Sequence, residues 1–222
     1  MKKIEERYIY DAHGHSVHSD GWSSPAAIVA AAIARNLDII GLSDHDTVRG
    51  LPAFVAAADA ANENGQKIMA VPSVEVTTRE GHVLVAVPDR DKAENFMQQF
   101  PNFEYPPYAL DLIEKSVDAY DAICIIVHPN FKYIKGLEYG VIDFIAKTCS
   151  KKAFSHIGIE VHNWMTMVFL NEFRHNAYAT NYFNNRWGFA EFSGTDYHRV
   201  SEVGRGATLI EMPELPAKAL TS

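Results

Sequence analysis

The chain predicts a mixed α/β fold, an incomplete or distorted (β/α) barrel, on three observations. Apolar runs of strand length alternate with helical stretches along most of its 222 residues, the pattern of successive β/α units. Runs such as Ile39-Ile40-Gly41-Leu42 and Ala122-Ile123-Cys124-Ile125-Ile126 are apolar and read as buried strands. Several of them end in His or Asp, and α/β folds assemble their sites where strands end. An open doubly wound sheet is the alternative, because periodicity does not fix closure.

Taken in order, Tyr8-Ile9-Tyr10 is the first strand and Asp11-Ala12-His13-Gly14-His15 its end. Ser23-Ser24-Pro25 is a helix start, with Ser as cap and Pro in the first turn, and the Ala-rich stretch Ala26–Asn36 follows. Leu37–Leu42 is strand two, closed by Ser43-Asp44-His45-Asp46. Leu51-Pro52 opens a second helix that runs to Asn64 and stops at Gly65, a favoured residue after a helix. Lys67–Val76 and His82–Val87 read as strands joined by a polar turn ending in Gly81, a candidate hairpin. Pro88–Pro107, charged and rich in Pro, is expected to be a surface loop with one short helix. Tyr108–Tyr120 is helical by period, Ala122–Val127 is strand five and Val141–Ser150 a further helix. His156–His162 is strand six, Thr166–Asn185 a long helix, Phe189–Ser193 strand seven and Ala207–Met212 a short last strand before a loosely held tail. The economical organisation is one domain over residues 1–222.

Composition narrows the function. A formal charge of -8 works against non-specific attraction to nucleic acid, which is held mainly through Lys and Arg. The two cysteines, Cys124 and Cys149, form no disulfide framework and fit a reducing compartment. No run approaches the roughly 20 apolar residues of a membrane span, and the charged N-terminus lacks a signal-peptide core. A cytoplasmic location is expected.

Ten histidines matter less for their number than for their placement. His13 and His15, two apart on an extended segment, share a face and can reach one ion of zinc, manganese or iron type. His45 lies between Asp44 and Asp46, where burying so much charge is costly without a counter-ion. Glu75 sits near the end of strand three and His82 begins strand four. His128 precedes Pro129 at the end of strand five, and Asp196 and His198 repeat the two-residue spacing. Asp20 lies in the first loop. Each alone has a bland explanation, such as a turn, a cap or a satisfied core His. Nine ligand-type residues at strand ends together are improbable by chance.

These blocks, from Asp11-Ala12-His13-Gly14-His15-Ser16 through Ser19-Asp20-Gly21, Ser43-Asp44-His45-Asp46-Thr47, Glu75, His128-Pro129 and Gly194-Thr195-Asp196-Tyr197-His198, closely resemble the polymerase and histidinol phosphatase (PHP) family. The resemblance implies a distorted (β/α)7 barrel holding two or three divalent ions (Zn, Mn or Fe) and hydrolysing phosphoesters. It also implies that His13, His15, Glu75 and Asp196 hold one ion. Glu75, His82 and His128 would hold a second, with Glu75 bridging, and Asp20, His45 and His198 a third. All nine matched positions are filled, which argues against a dead copy.

The expected reaction is hydrolysis of a small phosphomonoester by a metal-activated hydroxide, so no Ser or Cys nucleophile is needed. Glu75, Asp196 and His198 are the catalytic candidates, with the proton donor left open between Asp196 and His198. Arg199, Arg205 and Lys132 are candidates for holding the phosphate. Glu160 and His162 end strand six and are placed at the pocket wall. His18, His156 and His175 stay outside the set. Selectivity is expected from the loops Pro88–Pro107 and Phe131–Gly140 of an open site, with Tyr105, Tyr108, Phe131, Tyr133 and Trp164 available to stack on a base or sugar. The alternatives are a phosphodiesterase or exonuclease acting on nucleotide or oligonucleotide ends, an amidohydrolase-type barrel, and a non-catalytic metal-binding partner subunit. Nucleic acid is expected only as a short or nucleotide substrate, and the oligomeric state is left open.

Overall fold

In the computed structural model, which describes residues 6–101, 105–170 and 184–212, eight strands form one sheet. They are β1 (Glu6–Asp11), β2 (Ile39–Leu42), β3 (Met69–Thr77), β4 (His82–Ala86), β5 (Ile123–Ile126), β6 (Ile157–Asn163), β7 (Ala190–Gly194) and β8 (Thr208–Met212). Their spatial order is β7-β6-β5-β4-β3-β2-β1-β8. The β1/β2, β2/β3, β5/β6 and β6/β7 pairs are parallel, and β4 runs antiparallel to both its neighbours. β8 lies antiparallel along β1. The sheet is nearly closed, since the Ser193 amide donates to Thr208 Oγ1 at 2.7 Å and that hydroxyl donates to the Ser193 carbonyl at 3.2 Å. The fold is thus a mixed α/β, TIM-like barrel distorted by its reversed strands.

The helices are α1 (Pro25–Ala34), α2 (Leu51–Glu63), α3 (Arg90–Gln99), α4 (Ala109–Tyr120), α5 (Tyr139–Thr148), α6 (Lys151–Phe154) and α7 (Trp164–Leu170). Alternate strand residues serve two cores, which is why the strands read as unbroken apolar runs. Ile39, Leu84, Ala86, Ile125 and Val127 fill the barrel interior with Tyr8, Tyr10 and Phe192. Ile40, Leu42, Val83, Val85, Cys124 and Ile126 pack outward against helix residues such as Ile28, Phe54 and Leu112. With the floor filled, chemistry is confined to one end of the barrel. Among the described residues no helix is long and apolar enough to cross a membrane.

The helix ends follow local chemistry. The Ser24 side chain caps α1 by accepting from the Ala27 amide at 3.3 Å, with Pro25 in the first turn. Replacing Ser24 with Ala should cost about 1 kcal/mol, a fall in Tm of roughly 2–4 °C for a chain of this size. An unchanged calorimetric Tm would show that the cap contributes nothing. α2 ends at Glu63 with Asn64 as its C-cap, before Gly65 at φ 84°.

One expectation is made definite and another needs correction. The short helix expected within Pro88–Pro107 is α3, which takes up ten of its residues. Asp89 caps this helix through the Lys92 amide, and Ala93 and Phe96 supply a narrow buried stripe that its charged residues conceal. The helix after β6 starts at Trp164 rather than Thr166. Residues 171–183, with His175, and the tail after Met212 lie outside the described residues.

Candidate metal centre

Each parallel strand delivers its last residues to the same end of the barrel. β1 delivers His13 and His15, β2 delivers His45, β3 Glu75, β5 His128, β6 Glu160 and Asn163, and β7 Asp196 and His198. The reversed β4 reaches that end with its first residue, so His82 joins the cluster by starting its strand.

Glu75 is the hub. One of its oxygens, Oε1, lies 2.8 Å from His82 Nδ1 and 2.9 Å from His128 Nε2. The other, Oε2, lies 3.0 Å from His13 Nε2, 3.2 Å from His15 Nε2 and 3.5 Å from His45 Nδ1. Asp196 Oδ1 is 3.2 Å from His15 Nε2 and 3.7 Å from His13 Nε2. At the outer edge, Asp20 Oδ2 is 3.3 Å from His198 Nε2 and 3.6 Å from His45 Nε2. All nine residues expected as ligands therefore converge. His13, His15, Glu75, His82, His128 and Asp196 are buried, whereas His45, His198 and Asp20 open toward solvent.

The donor atoms fit divalent ions. Four groups have donors lying within 4.8 Å of one another: His13/His128/Asp196, His13/His15/Glu75, His15/Asp20/His198 and His45/Glu75/His82. This grouping uses the nine residues but divides them differently from the three sets implied by the resemblance. Buried His15 is within 3.2 Å of two carboxylates, yet neither of its ring nitrogens makes a hydrogen bond, and His128 Nδ1 is also unpartnered. Burial without a partner is costly, and a cation among the carboxylates would satisfy these lone pairs.

The electrostatics express the same crowding. Burial opposes protonation of His15, but the adjacent Asp196 and Glu75 carboxylates outweigh it and push the imidazole up to about 9. His13 is raised in the same way by Asp196, Glu75 and Glu160. Burial also opposes ionisation of Glu75, yet the imidazoles of His13, His128 and His15 around it hold it well below the usual carboxylate range. Asp196 is held low chiefly by His13 and His15, against its own burial. At His45 burial prevails and the imidazole is lowered.

A layer of polar groups fixes these side chains. Glu160 Oε1 is 3.2 Å from His13 Nδ1, and Oε2 accepts from the His128 amide at 2.7 Å. Asn163, which the sequence did not single out, donates to Glu160 Oε2 at 3.0 Å and Asp196 Oδ2 at 3.2 Å. Its own oxygen accepts from the Thr166 amide at the start of α7. His162, expected beside Glu160, is exposed instead. A register irregularity between Glu160 and His162 breaks the two-residue alternation and turns Asn163 inward. Asp44 corrects another expectation, since it needs no cation: Ser16 N and Oγ and Ser19 Oγ donate to it at 2.6–2.7 Å. Asp46 caps no helix; it accepts from Thr77 N and Oγ1 and from Tyr105 OH. Asp11 accepts from Thr195 N and Oγ1 and Gly204 N, while its burial pushes the carboxyl up to about 7.

The phosphate candidates lie at the rim. Exposed Arg199 follows His198, with its guanidinium 5.0 Å from the centre of the Trp22 ring. Exposed Arg205 stands 5.1 Å from the Trp164 ring. Lys132 is paired with Glu138 at 3.0 Å in a solvated setting.

A nearly closed α/β barrel with imidazoles and carboxylates gathered at one end is the arrangement of a metal-binding barrel domain. The chain belongs to the PHP domain family, whose sequence profile matches residues 11–162. Among solved structures it resembles a two-domain protein from Bacteroides vulgatus containing a predicted PHP-like metal-dependent phosphoesterase (TM-score 0.65, 17% identity, 97% of this chain and 62% of that one). It also resembles an amidohydrolase from Chromobacterium violaceum (TM-score 0.61, 17% identity, 96% of this chain and 93% of that one). At such identities the likeness concerns the fold. In sequence it is similar to 5'-3' exoribonuclease Rnm of Salmonella typhimurium, 33% identical over 70 residues, covering 32% of this chain and 23% of the relative. A 5'-3' exoribonuclease of Haemophilus influenzae is 41% identical over 69 residues, covering 31% of this chain and 23% of that one. These matches span about a quarter of each relative.

Proposed function

We propose that the protein hydrolyses a small phosphomonoester at a centre of two or three divalent ions of zinc, manganese or iron type. His13, His15, Asp20, His45, Glu75, His82, His128, Asp196 and His198 would hold them. The observation that carries this is Glu75, a buried carboxylate facing five imidazoles, beside a His15 whose ring nitrogens make no hydrogen bond. When bound, such ions supply Lewis acidity, lowering the pKa of water and offsetting phosphoryl charge.

The chain's own residues do the rest. Glu75, enclosed by imidazoles, keeps the donors converged, and Glu160 and Asn163 orient His13 and Asp196. His198, with 22% of its side chain in solvent, and buried Asp196 are the two candidates for giving a proton to the leaving oxygen, a role open only to the one that holds no ion. Arg199 and Arg205 are the cations available to a phosphate at the rim.

A second reading, hydrolysis at an oligonucleotide end, is supported by the names of the sequence relatives. Elemental analysis of the purified protein, coupled to a panel of phosphomonoesters, diesters and short RNA, separates the two. At least one ion per chain and faster monoester turnover are expected. Preferential release of mononucleotides from RNA would favour the second reading, and no bound ion with no turnover after metal addition would overturn both.

A further inference from the structure

Trp22 is 73% exposed, the most exposed Trp among the described residues, although Trp is a residue usually buried for much of its surface. It is not on a slack loop. Its amide donates to the His198 carbonyl at 2.7 Å, and the Val17 amide donates to the Ser23 carbonyl at 3.0 Å. Just before it, Gly21 packs so tightly against the His15 carbonyl that a Cβ would not fit. The Val200 amide donates to Ser23 Oγ at 3.2 Å, tying the loop that carries Arg199 to the loop that carries Trp22. Arg199 stands over the indole at 5.0 Å and, among the described residues, has no carboxylate partner. A solvent-facing indole on a backbone tied to the His198 carbonyl, and a guanidinium stacked on it, thus stand close in the chain to Asp20 and His198, the ligands that open toward solvent.

We infer that Trp22 and Arg199 form a binding site for the flat aromatic part of the substrate, and that this part is a nucleobase next to the phosphate that is cleaved. The inference rests on the phosphomonoester reading and names its substrate class. A base offers a π-face to the indole, a contact worth about tenfold or more in affinity, while the guanidinium adds cation–π attraction and a phosphate contact. An aliphatic phosphate would leave the indole uncovered. The second such pair sets exposed Arg205 against a half-buried Trp164, an indole with less face to offer.

The test compares adenosine 5'-monophosphate with ribose 5-phosphate, which differ by the base alone. Wild-type protein loaded with Zn or Mn is expected to prefer the nucleotide in kcat/KM by at least about tenfold. Trp22→Ala should erase most of that preference through KM, and Trp22→Phe should restore part of it. In parallel, the nucleotide, but not the sugar phosphate, should quench intrinsic fluorescence, and the quench should vanish in Trp22→Phe. An equal loss for both substrates, or an unchanged preference, would overturn the clamp. Quenching that depends on Trp22 without turnover of either compound would retain the clamp and sink the phosphomonoester reading. Absence of both preference and quench would sink the clamp even where other phosphomonoesters are hydrolysed.

Discussion

Glu75→Gln is expected to strip the centre of metal and abolish hydrolysis while leaving the barrel folded. The substitution preserves shape and removes one charge from the point where five imidazoles meet. At ion-pair range, about 4 Å, and an effective dielectric of about 20, a unit charge is worth about 4 kcal/mol, roughly a thousandfold in affinity. Glutamine also brings two N–H donors toward His82 and His128, whose nitrogens lie 2.8 and 2.9 Å from Oε1. Metal per chain, read by elemental analysis after dialysis, should fall below half the wild-type value, and turnover by about a thousandfold. The circular dichroism spectrum should not change. Full metal content with near wild-type turnover would remove Glu75 from the centre.

The second large effect is expected from Gly14→Ala. A Cβ at Gly14 would run into Cδ1, Cε1 and Cζ of the Tyr197 ring, and the ring cannot retreat. Tyr197 is fully buried and its hydroxyl donates to the Gly41 carbonyl. The main chains are tied as well, through a bridge between Gly14 and Tyr197 and a 2.7 Å bond from the His15 amide to the Tyr197 carbonyl. Overpacking of this kind costs about 1–3 kcal/mol, and its strain falls between His13 and His15 on one side and Asp196 and His198 on the other. Tm should drop by several degrees and metal affinity by at least tenfold. Gly140→Ala is the control, because nothing lies within 4 Å of its Cβ. Equal behaviour of the two variants would show that the Gly14 contact is relieved elsewhere.

The ligand cluster was legible because it is written in strand ends. His13, His45, His128 and Asp196 each follow an apolar run, and a barrel turns that position in sequence into proximity in space. The same logic works in reverse for His82, since an antiparallel strand brings its start to the end where its neighbours finish. What stayed hidden depends on local departures from regularity. Asn163 and His162 exchange roles because the irregularity in β6 breaks its alternation. Asp44 looked like a charge awaiting a cation, whereas its partners are hydroxyl and amide groups of Ser16 and Ser19 from another loop. The bounds of α3 escaped because only Ala93 and Phe96 are buried among charged residues. The near closure of the sheet turns on the Thr208 hydroxyl, a contact between distant segments that no period announces.

The antiparallel fourth strand also shapes what the protein can become. In an ordinary β/α repeat, the link leading into a strand lies on the far, supporting side of the molecule. Here the tight link Thr78–Gly81 joins Thr77 to His82 on the working side instead. Residues added there would reach the mouth of the pocket without disturbing the packed floor, so this short bend is a natural place for related proteins to acquire new specificity by changes in length.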